Sequence, residues 1–177
     1  ALETNSTVNV LSITFNTAAQ YTIFTPFRYE QDVPYAIATD SESNLYISIS
    51  EGGQGVLKKM YKDGTYEYIS EHTSFLKANS LVMSPDNNLF AAATLGRPKY
   101  VIKIDMNGNE TYYANLVYAP LAIDMDVNQK IWVSGENYIS RIDSAQSVTD
   151  FAFPGTVRAM KTVDDTLFVA GFIEGEE

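Results

Sequence analysis

A chain of 177 residues with 45% apolar residues is long enough for a real core and too apolar for a disordered polymer. Its net charge of −10 opposes nucleic-acid phosphates, and no apolar run approaches the ~18 residues of a membrane span, so neither nucleic-acid binding nor membrane insertion is expected. The absence of cysteine removes disulfides, thiolate metal sites and cysteine nucleophiles, while 12 tyrosines and nine phenylalanines favour strands.

In chain order, residues 9–15, 16–19 and 20–24 read as strand, turn and strand. Then comes a full unit: a strand over 35–39, the polar turn Asp40-Ser41-Glu42-Ser43-Asn44, and a strand over 45–50. The glycine-rich loop 51–55, a strand over 56–61, the hairpin Lys62-Asp63-Gly64 and a strand over 65–69 complete it. A second unit places strands at 80–84, 89–94, 100–105 and 110–114, and a third at 120–126, 131–134, 138–142 and 148–152. The chain closes with strands over 157–162 and 167–172 around the turn Val163-Asp164-Asp165.

The second strand of each unit recurs as Asn44-Leu45-Tyr46-Ile47-Ser48, Asn88-Leu89-Phe90-Ala91-Ala92, Lys130-Ile131-Trp132-Val133-Ser134 and Thr166-Leu167-Phe168-Val169-Ala170. The interval is roughly 40 residues, the length of a four-stranded propeller blade whose strands run A, B, C, D. Val10-Leu11 lines up with Val56-Leu57, Val101-Ile102 and Tyr138-Ile139, so the chain opens on a C–turn–D half. It closes on an A–turn–B half. The fold class is therefore all-β, a β-propeller counted as four-bladed in one domain over residues 1–177. The blades fall at about 33–71, 78–115 and 119–153, with a composite blade from 156–173 plus 8–27 joining the N- and C-terminal strands. The same halves can instead pair between copies, giving a shared eight-bladed ring or an open filament. Leu45, Ile47, Leu89, Ile123, Ile131, Val133, Leu167 and Val169 are the expected core, with Trp132 or its neighbour at a blade interface.

The units resemble NHL-type propeller repeats, with Asp40-Ser41-Glu42-Ser43-Asn44-Leu45-Tyr46-Ile47 nearest to that strand–turn–strand signature. The resemblance is at repeat level, departs in blade number, and implies a fold rather than an activity. Propeller lactonases and phosphotriesterases, which are similar to this repeat class, hold a metal over the channel with a Glu/Asn/Asp cluster. The resemblance implies Asp32, Glu51 and Glu136, with Asn137, as the nearest counterparts here.

In propellers the D–A and B–C connections gather on one face, where ligands bind. Arg28, Tyr29, Arg97, Tyr118 and Glu136 fall there by repeat phase and are the candidate ligand-binding residues, suited to a carbohydrate or an acidic peptide. The acidic A–B turns (Asp40, Asp86, Asp126, Asp164) offer too few converging oxygens for Ca²⁺ and read as turn chemistry, so no cofactor is expected. His72 is the one histidine and nothing marks a nucleophile beside it, so no catalytic residue is assigned. Asn5 and Asn109 head Asn-x-Ser/Thr sequons and are glycosylation candidates. A first residue Ala1 fits signal-peptide removal, so an extracellular or surface location is expected, with the cytoplasm still open. The functional expectation is a non-catalytic extracellular module contacting carbohydrate, protein or its own copies, a filament subunit included. A metal-dependent propeller hydrolase or lactonase is the alternative.

Overall fold

The computed structural model describes residues 33–51, 54–71, 78–93 and 99–173. Within them the protein is all-β, built from thirteen strands in three antiparallel sheets. The first sheet holds β1 (Val33–Thr39), β2 (Leu45–Glu51), β3 (Gln54–Met60) and β4 (Tyr66–Glu71), hydrogen-bonded in chain order. The second repeats this with β5 (Ala78–Met83), β6 (Leu89–Ala93), β7 (Tyr100–Ile104) and β8 (Glu110–Asn115). The third contains β9 (Ala122–Met125), β10 (Ile131–Ser134), β11 (Glu136–Ile142), β12 (Val148–Val163) and β13 (Thr166–Ile173), with β13 and β9 at its two edges.

The turns explain why the chain breaks into these strands. Asp40 accepts the backbone N–H groups of Glu42 (3.0 Å) and Asn44 (2.8 Å) while Ser43 takes a left-handed φ of 67°. Asp126 does the same with Asn128 and Lys130 (both 2.9 Å) around Gln129 at φ 60°. In the second unit the Ser84 hydroxyl takes over, accepting Asn88 N–H at 3.0 Å. The β7–β8 and β11–β12 turns are tied by Asp105 and Asp143 in the same way. A short carboxylate that accepts two turn amides offsets the cost of the left-handed residue. Asp40 and Asp126 are thus occupied in turn chemistry.

Alternation along each strand then stacks the sheets. Leu89 and Ala91 of β6 face the first sheet, where they meet Tyr46 and Leu57; Phe90 and Ala92 face the third, where they meet Ile123, Ile131 and Val133. The innermost strands β1, β5 and β9, and then β12, pack side by side in that order. Asn79 of β5 donates to the Pro120 carbonyl at 3.0 Å, and Ser70 of β4 donates to Glu110 of β8 at 2.9 Å, so the sheets are also fastened by polar contacts. This is the blade packing of a β-propeller.

Three features depart from the sequence reading. Residues 148–152 and 157–162 are not separate strands: β12 runs unbroken from Val148 to Val163, pairing first with β11 and then with β13. Residues 153–155 form an irregularity within it, where the pairing with β11 steps from Tyr138↔Ala152 to Glu136↔Thr156, and a bulge between Val157 and Ala159 re-aims the second half. That half lies against β9 and β10: Thr162 Oγ1 donates to Asp124 at 2.8 Å, and Ser134 Oγ donates to the Val157 carbonyl at 3.0 Å. It occupies the place of a fourth inner strand. Second, Ala92 pairs with Val101 where Ser48 pairs with Leu57 and Ser134 with Ile139, so the Val101-Ile102 alignment slips by one residue. Third, the core expectation fails at Val169, which is exposed; Ile47, Leu89, Ile123, Ile131 and Val133 are buried, and Leu45 and Leu167 are half-buried. Among the described residues β13 is paired on one side only. Residues 8–27 of the composite blade lie outside the described residues.

Candidate functional site

Where β8 leads into β9, the chain crosses the end of the third sheet and forms one wall of a cleft of about 600 Å³. The tight β10–β11 turn and the start of the second half of β12 form the others. Lys99, Tyr118, Glu136, Asn137, Tyr138 and Arg158 line it, with Leu121 and Thr156.

The cleft is built on Gly135. This residue bonds its N–H to the Tyr138 carbonyl at 3.1 Å while Asn137 sits at φ 63°, which closes the turn. A Cβ on Gly135 would overlap the Tyr118 ring and lie 2.7 Å from the Ala119 carbonyl, so only glycine lets the ring lie there. The Tyr118 hydroxyl reaches the Val133 carbonyl at 2.8 Å and Ser140 Oγ at 2.9 Å, and Ser140 in turn donates to Asp150. Burial pushes the Tyr118 phenol up to about 12, and the charge on Asp150 adds to the rise. Tyr118 is therefore a fixed buried wedge. Tyr138 stacks parallel to it with ring centroids 5.6 Å apart and remains 38% exposed, so the aromatic face offered to a ligand belongs to Tyr138.

Charge is arranged around that face. Arg158 is exposed and holds its guanidinium 5.1 Å above the Phe172 ring, and Lys99 donates to the Val117 carbonyl across the cleft wall. Two cations thus stand beside Glu136 in a chain of net charge −10.

Of the five ligand-binding candidates, Tyr118 and Glu136 line this one cleft, and Arg28, Tyr29 and Arg97 lie outside the described residues. Tyr138 and Arg158 were not singled out by the sequence reading, being counted as strand residues. For Tyr138 the signal is positional, since it stands near the start of β11 just after a connection on the ligand face; Arg158, inside the unbroken β12, has no such local signal. Of the metal-site alternative, Asp32 lies outside the described residues. Glu51 is in the first sheet, 3.3 Å from the Lys58 ammonium and within 3.3 Å of the Tyr68 hydroxyl, whereas Glu136 is in the third. Among the described residues no three His, Asp or Glu side chains gather as metal ligands do. Asp124 and Asp126 diverge, the first toward Thr162 and Lys161, the second to its own turn and the Trp132 indole. His72 and Asn5 lie outside the described residues. Asn109 is exposed, with its side-chain amide donating to Asp105 at 2.8 Å.

No family model matches the chain, and no characterised protein sequence does either. Solved structures do. Virginiamycin B lyase from Staphylococcus aureus superposes with a TM-score of 0.64 at 18% identity, over 80% of this chain and 52% of that one. A gluconolactonase from Xanthomonas campestris gives 0.67 at 16% identity over 81% and 56%. A chain of the nidogen/laminin complex gives 0.68 at 14% identity over 78% and 55%. These likenesses establish the propeller fold and agree with the NHL-type repeat resemblance. The chain spans about half the length of the structures it matches.

Proposed function

We propose that this β-propeller chain is a non-catalytic binding module of the cell exterior and that the cleft beside Gly135 holds an acidic carbohydrate. The observation that carries the reading is the meeting, in one cleft, of the exposed Tyr138 ring with Lys99 and Arg158. An open aromatic face stacks on the apolar face of a sugar ring, the two cations answer a uronate carboxylate, and Glu136 with Asn137 can bond hydroxyls. The buried Tyr118 keeps Tyr138 in place, which lowers the ordering cost of binding. The exterior location is supported by the exposed Asn109 sequon.

Isothermal titration with oligogalacturonate and with a neutral oligosaccharide of equal length tests the reading. Oligogalacturonate binds the parent, and Tyr138→Ala or Arg158→Ala each weakens it about tenfold, roughly 1.4 kcal/mol. Equal affinity for the neutral sugar, or binding indifferent to both substitutions, would remove the cleft as the site.

A further inference from the structure

At the opposite end of β10 from Gly135, two turns of the third sheet flank a second cleft, of about 230 Å³. The β9–β10 turn supplies Lys130, the β12–β13 turn supplies Asp164 and Asp165, and Trp132, Arg141 and Leu167 line it from their strands. Asp126 belongs to the frame: Oδ1 accepts the Asn128 and Lys130 amides, both at 2.9 Å, and Oδ2 accepts the Trp132 indole N–H at 3.1 Å. With Phe151 stacked on the indole at 6.0 Å, Trp132 is held as a flat surface. The other four charges are not used in this way. Among the described residues the ion pairs are Glu51–Lys58 and Asp124–Lys161, and none joins Lys130 or Arg141 to Asp164 or Asp165. Arg141 holds its guanidinium 5.8 Å from the Trp132 ring and gives none of its side-chain N–H groups to a hydrogen bond within the described residues. Opposite charges kept apart around one small cleft are satisfied together by a guest that carries both.

The volume limits that guest. It falls below the ~300–1,000 Å³ of sites for drug-sized ligands and suits one small molecule. We infer that the cleft between the β9–β10 and β12–β13 turns binds a free α-amino acid with an apolar side chain. The guest's carboxylate faces Arg141, whose planar fork of N–H donors matches it, with Lys130 adding a second positive charge. Its ammonium faces Asp164 and Asp165, and its side chain lies along Trp132 and Leu167. A neutral sugar leaves charges of both signs unanswered. A purely anionic guest meets the two aspartates, and a purely cationic one meets Lys130 and Arg141. The site lies at the other end of the third sheet from the Gly135 cleft and stands whether or not that cleft takes a sugar.

Trp132 is the one tryptophan of the chain, so its fluorescence reports on this cleft. Titration of the 177-residue protein with L-leucine should give a saturable change in emission, and the absence of one overturns the inference. N-acetyl-L-leucine lacks the ammonium and L-leucinamide lacks the carboxylate, so each should bind at least about tenfold more weakly than leucine. Either analogue binding as tightly as leucine would mean that a single charge is read, which overturns the zwitterion. The analogues need no variant and decide the matter even where a substitution fails to fold. Asp164→Asn/Asp165→Asn keeps, at position 164, a residue that tolerates the left-handed φ of 51°. It should weaken leucine about tenfold and erase the preference for leucine over the N-acetyl form. Arg141→Gln should erase the preference over leucinamide. A folded variant that retains its preference overturns the assignment of that charge.

Discussion

Replacing Glu51 by glutamine strips a carboxylate from a buried ammonium. Lys58 sits fully buried on β3, on the face it shares with Ile47, Ile49 and Met60, and Glu51 is 3.3 Å away with its side chain 8% exposed. The Tyr66 and Tyr68 rings flank the ammonium at 5.0 and 4.9 Å. At 3.3 Å and an effective dielectric of ~20, the charge attraction is about 5 kcal/mol, most of it spent on offsetting desolvation. In Glu51→Gln the desolvation cost stays and the attraction goes. A loss of about 3–5 kcal/mol is expected in urea unfolding, or a fall in Tm of roughly 10 °C for a chain of this size. The rings keep their attraction and set the lower end of that range. The double variant Glu51→Leu/Lys58→Met should return to within about 1 kcal/mol of the parent, because it removes both charges and fills the same volume. A single variant costing less than about 1 kcal/mol, or a double variant no better than the single, would refute the claim that this pair is shielded from water.

Tyr118→Phe leaves the Val133 carbonyl and Ser140 without the phenol, so a loss of about 1–3 kcal/mol at neutral pH is expected in chemical denaturation. The folded phenol is held near 12 against an ordinary 10, so its contribution is present below pH 10 and fades as pH rises toward 12; Tyr118→Phe should flatten that alkaline decline, and an unchanged slope would count against the burial argument. Asp124→Asn weakens the carboxylate that receives the Thr162 backbone and hydroxyl and the Lys161 ammonium. Amide exchange in residues 157–173 should then speed up by tenfold or more while β6 and β7 keep their protection, and uniform acceleration would show that the β12–β13 hairpin is not a separate opening unit.

Much of this fold was legible because its punctuation is local. The Asp40, Asp105 and Asp126 turns each announce themselves by an aspartate followed by a polar residue or glycine at positive φ, and the strands between them follow. Register was less legible: Tyr100-Val101-Ile102 is an unbroken apolar run, and a period of two fixes no absolute phase in it. The join of 148–152 to 157–162 into one strand was not legible either, because the pairing partner changes from β11 to β13 along it, which only the sheet topology shows. Lys58 reads from sequence as a solvent residue beside Lys59; its carboxylate and rings come from β2 and β4, which only the hairpin pairings bring together. The cleft was half legible. Tyr118 and Glu136 follow from the rule about connections, but the order in which the aromatic pair stacks depends on Gly135, a packing fact with no local pattern.

The aspartate-tied turns also bear on how such a chain grows. Asp40 fastens its turn with Glu42, Asn44 and Tyr46, Asp105 with Asn107 and Asn109, and Asp63 with Thr65, each partner coming from the same blade. A unit duplicated within the gene would therefore arrive with its own fasteners and need only two apolar faces to be accepted. Insertion of a whole unit changes the length of the arc and leaves every existing turn intact. Descent by copying is thus open to this architecture at little structural cost.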